Sequence, residues 1–81
     1  MIIETKKGEQ IIIDRDNGVY YITRGDEVGV ILAKSFSEND INVGRSYFLI
    51  YCPLELVIKG RLKDIKARRP FYFNVKKIID V

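Results

Sequence analysis

The chain has 81 residues, 47% of them hydrophobic and 31% charged, which describes a single globular domain over residues 1–81 whose one small core hides roughly 60% of the unfolded surface. There is no His and only one Cys, so Ser-His-Asp and Cys-His nucleophile pairs, an intramolecular disulfide and Cys-rich zinc sites are excluded. No catalytic pair, phosphate-cradling Gly loop or cofactor motif stands at a workable spacing, and the expectation is a non-enzymatic protein without cofactor or metal.

Thirteen Ile, seven Val and two Thr stand against five Leu, two Ala and one Met, so strand-stiffening residues dominate and the expected class is all-β. Met1–Lys7 carries no long apolar run, which predicts no leader segment. Ile11 to Arg15 and Val19 to Thr23 flank Asp16-Asn17-Gly18-Val19, the pattern of a two-residue type I′ hairpin turn. That turn sets Ile13 opposite Ile22 and Arg15 opposite Tyr20, with Ile11, Ile13, Tyr20 and Ile22 on one face. The Asp-rich turn lacks the Gly and the bidentate Glu of a calcium loop at the required positions. Arg24-Gly25-Asp26-Glu27 predicts a second tight turn, type II′, leading into a strand from Val28 to Ala33. Both faces of this meander are apolar, which implies a barrel with a partly covered outer wall or a subunit interface.

Ser35 to Gly44 is polar and predicts a loop, with one short helical turn near residues 37–41 capped by Ser37. Ser46 to Cys52 predicts a strand ended by Pro53; its apolar run, Tyr47 to Cys52, is too short to span a bilayer. From Glu55 to Lys63, Leu56, Ile58, Gly60 and Leu62 alternate with Lys59, Arg61 and Lys63, so a further strand is expected with three cations on one face. The parity breaks at Ile65 and Ala67, which predicts a bulge or turn near Lys63-Asp64. Phe71, Phe73 and Val75 form a last core-facing strand before Ile78 and Ile79, with Tyr72 pointing the other way. Six or seven strands in one small antiparallel β-barrel or rolled sheet, of OB or SH3-like size, is the expected architecture.

Charge is segregated along the chain. Residues 1–40 carry a net −3 and residues 41–81 a net +6. Lys59, Arg61, Lys63, Lys66, Arg68 and Arg69 lie within eleven residues that contain one acid, Asp64, and Phe71-Tyr72-Phe73 follows. Cations beside an exposed aromatic combine phosphate neutralisation with base stacking, so these six residues and Tyr72 are the candidate nucleic-acid-binding set. Ordinary solvated strand faces carry alternate Lys and Arg too.

Val43-Gly44-Arg45-Ser46-Tyr47-Phe48-Leu49-Ile50-Tyr51, continuing to Val57-Ile58-Lys59-Gly60-Arg61-Leu62, resembles the turn, strand and return strand of PUA and ASCH-type RNA-binding barrels. No site residue is carried over from it. The residues themselves support a cytoplasmic barrel that binds nucleic acid, RNA or a single strand, with no membrane partner. The alternative is a protein-interaction or assembly module, a homo-oligomer, that docks through its doubly apolar meander.

Overall fold

Asn17 and Gly18 take φ of 51° and 78°, the two left-handed residues that a type I′ turn requires. The turn joins β2 (Gln10–Asp16) to β3 (Val19–Arg24), with Ile13 opposite Ile22 and Arg15 opposite Tyr20 as the sequence predicts. At the next turn Gly25 has φ 59° while Asp26 stays outside the left-handed region, as a type II′ turn demands, and β4 (Glu27–Ile31) returns. The computed structural model describes residues 1–33 and 36–81; Ser35, the first residue of the expected polar loop, lies outside them, as does Lys34. In the described part of that loop a 3₁₀ turn spans Glu38–Asp40, and the Ser37 side chain accepts from the Asn39 amide as its cap.

β1 (Ile2–Glu4), β5 (Ser46–Pro53), β6 (Arg69–Asn74) and β7 (Lys77–Asp80) complete a seven-stranded antiparallel sheet in the order β6-β5-β4-β3-β2-β1-β7. The sheet curls into a half-barrel, because β6 and β7 are its two edges yet only Val75 and Lys76 separate them. At this link the backbone changes partner. Val75 donates its amide to the Arg45 carbonyl beside β5, and Lys76 donates to the Glu4 carbonyl of β1.

Inside the curl, Ile3, Ile11, Ile13, Ile22, Ile31, Tyr51, Phe71, Phe73 and Val75 form one buried cluster. The period of 2 along each strand places them there. The opposite face is partly covered by a helix, α1 (Leu54–Ile58), which lies against β4 and β5. Val30 and Cys52 face one another on these strands and are buried without belonging to the inner cluster. The second apolar face of the meander is thus covered at this point by the chain itself.

The strand expected from Glu55 to Lys63 is not formed. Pro53 stands at the N-cap of α1, and Gly60, at φ 77°, ends it. The Gly60 amide bonds to the Val57 carbonyl and the Arg61 amide to the Leu56 carbonyl, the two bonds of a Schellman cap. Five residues are too few to separate a period of 2 from one of 3.6, and the Pro and Gly at either end decide the matter. Residues 57–62, which the barrel resemblance implied as a return strand, therefore form no strand, and β5 pairs instead with β6. The parity break falls on a turn at Arg61–Asp64, followed by a 3₁₀ turn at Ile65–Ala67 that the Asp64 side chain caps.

Two glycines are expected to respond differently to substitution. Gly18→Val should cost about 1 kcal/mol or more, through backbone strain alone, since a Cβ there meets nothing within 4 Å. Gly29→Ala should cost about 1 to 3 kcal/mol through overpacking, because its Cβ would run into the Tyr51 ring and sit 2.7 Å from the Cys52 carbonyl oxygen. Thermal melts of both variants check the pair; an unchanged melting temperature in either refutes the corresponding assignment.

Candidate nucleic-acid interface

Val75 bonds toward β5 and Lys76 away from it, so along β6 the odd residues pair with β5 and the even ones face the open edge. Tyr72 is therefore in a non-hydrogen-bonded pair with Phe48, the type whose Cα atoms approach to about 4.5 Å. Both side chains point to the outer face, 65% exposed at Phe48 and 56% at Tyr72. Ile50 and Pro70 are the next pair along the same face. Beside them, Leu32, Ala33, Phe48, Ile50 and Arg68 line an open groove of about 310 Å³.

The open edge of β6 is guarded at each even position. Pro70 has no amide hydrogen to offer there. The Tyr72 carbonyl accepts from Arg24 Nη1 at 3.4 Å, and Asn74 Oδ1 accepts from the Lys6 amide at 2.8 Å. Arg24 reaches from β3 across the mouth of the half-barrel, its guanidinium 4.3 Å from the centroid of the Phe71 ring. Its Nη2 pairs with Glu27, which also accepts from the Tyr51 hydroxyl at 2.9 Å. Burial, and after it the hydrogen bond to Glu27, raises the Tyr51 hydroxyl above its ordinary value of 10.0.

The six cations of the basic segment are divided by their local bonds. With no strand there, Lys59, Arg61 and Lys63 do not form an evenly spaced row on one sheet face. Lys59 caps α1 while Lys63 and Lys66 are exposed on the turns that follow. Arg61 is bound to Asp64, Nε at 3.1 Å and Nη2 at 2.8 Å from Oδ2. Arg69 folds back so that its Nη1 donates to the carbonyls of Lys66 and Arg68. Arg68 alone joins the aromatic face, through the groove it shares with Phe48. Ile58, just before the cations, and Ile65, among them, are 78% and 75% exposed, with Leu62 partly so.

Phe48 is the site residue that sequence reasoning misses. Tyr47 to Tyr51 is apolar at every position, so the run carries no parity of its own; the register against β6, with Phe71 and Phe73 inward, supplies it. Among the described residues, no cluster of His, Cys, Asp and Glu is arranged to hold a metal ion, and no helix is long and apolar enough to cross a membrane.

The Asp64 carboxyl lies below its ordinary value of 3.8, first because Arg61 donates to it and then because the Lys66 amide does. A depressed carboxylate stabilises the fold above its unfolded-state value, and that contribution is lost as pH falls through the folded value. Arg61→Gln should therefore move the Asp64 titration upward, read by NMR of the side-chain carboxyl carbon. An unmoved midpoint would show the pair to be absent in solution.

Compared with known proteins, the chain matches no family model, no curated protein and no solved structure.

Proposed function

We propose that the protein binds nucleic acid as a single strand, stacking bases on the outer face of β5 and β6. The observation that carries this reading is the Phe48–Tyr72 cross-strand pair, two rings more than half exposed on a rigid sheet. Burying aromatic rings in the core is the ordinary outcome, and the same strands do bury Phe71 and Phe73. Two rings left outward, with Arg68 beside them and Lys59, Lys63 and Lys66 in the adjoining connection, provide a stacking surface with phosphate-binding charge at one end. Stacking needs no base-specific geometry, so the reading implies little sequence preference.

A second reading rests on a separate observation. Ile58, Leu62 and Ile65 are exposed aliphatic residues, and aliphatic side chains bury against other proteins rather than stack on bases. This favours a protein partner or self-association through the β5–β6 connection.

The two readings separate in one set of titrations. Phe48→Ala and Tyr72→Ala should each cost about 1 to 3 kcal/mol on single strands while leaving the salt slope unchanged. Replacing Lys59, Lys63 and Lys66 by Ser should instead lower the slope by up to about two units, since each phosphate contact on a single strand releases about 0.7 counterion. Absence of saturable binding to any nucleic acid at low salt would sink the first reading. A monomeric mass by sedimentation, unaffected by Ile58→Ser or Ile65→Ser, would remove self-association.

A further inference from the structure

Three boundaries limit the outer face on which Phe48 and Tyr72 lie. Tyr51 pairs with Arg69, so Cys52, buried with Val30 where α1 rests against β4 and β5, stands level with Arg68, and the outer face closes at that end of the strands. At the same corner Asp26, Glu27 and Glu55 surround one concavity and repel phosphate. Laterally, β6, which carries Tyr72, is the edge of the sheet. Between the rings and that closed end the face runs along β6 from Tyr72 toward Arg68, four residues away, or about 13 Å of strand. Arg68 and the neighbouring Lys66 are exposed there, and they carry charge where the rings end.

We infer that the face holds a short single-stranded segment of about four nucleotides, the lower end of the range for small barrels, laid along β6. Two bases stack on Phe48 and Tyr72, and the backbone then passes Arg68 and Lys66. This rests on the single-strand reading and adds to it a length and a direction. Such a site takes loops, ends and short gaps, because a longer strand gains no further stacking surface beyond the second ring.

The test is a length series of end-labelled oligouridylates and oligothymidylates, from two to twelve nucleotides, followed by fluorescence anisotropy at fixed moderate salt. Affinity should climb steeply to about four nucleotides and then rise no more than about twofold to twelve, the statistical gain from extra binding frames on a longer strand. The two sugar series report whether the 2′-hydroxyl contributes. Phe48→Ala should lower affinity tenfold or more at every length from four upward. A further rise of tenfold or more between five and twelve nucleotides would overturn the short footprint while leaving single-strand binding intact. No binding at any length, even at low salt, would instead end the single-strand reading itself. A duplex that binds as tightly as the single strand of equal length would overturn the stacking path.

Discussion

The change of partner at Val75 and Lys76 is the constraint on which the other features depend. Strand edges expose unpaired amides and carbonyls, and a sheet whose two edges are joined by two residues must curl until both can be reached. Val75 is fully buried at that crossing, which fixes the parity of everything before it on β6: Phe73 and Phe71 inward, Tyr72 outward. The cross-strand partner of Tyr72 is then Phe48. An exposed aromatic pair is thus a consequence of closing the sheet, given the residues that happen to occupy those two positions.

The parts of this fold that can be read from the sequence are those governed by short-range backbone chemistry. Asn17-Gly18 and Gly25 each have a conformation few other residues tolerate, so turn type, register and the Ile11, Ile13 and Ile22 face follow directly from local sequence. Residues 54–69 could not be read in this way, because their apolar alternation fits two periods and the decisive signals, Pro53 and Gly60, act on the ends rather than the middle. Tyr72 was legible as outward because Phe71 and Phe73 bracket it. Phe48 was not, since facing is set by a partner strand more than twenty residues away.

Placing the cations in a connection rather than on a strand changes what they can do. A strand would hold Lys59, Arg61 and Lys63 in a straight row, a fixed track for phosphate. In the turns that actually carry them, Arg61 is held by Asp64 and Arg69 by two backbone carbonyls, and these bonds shape the connection. The freely solvated charges are Lys59, Lys63, Lys66 and Arg68, a smaller set on flexible stems. The Phe48 and Tyr72 rings, by contrast, stand on the strands themselves.

The partner change also determines the order in which the molecule can assemble. Ile3 meets Ile78 across β1 and β7, nearly the full length of the chain apart, whereas the hairpins from β2 to β4 need only local closure. Long loops are entropically costly to close before any contact rewards them, so folding rates fall as such pairings come to dominate. The meander can therefore form early as a sheet with its inner Ile side chains open to water. It becomes a core only when the segment from Phe71 to Ile78 arrives, and a chain halted short of that segment leaves apolar side chains open to aggregation.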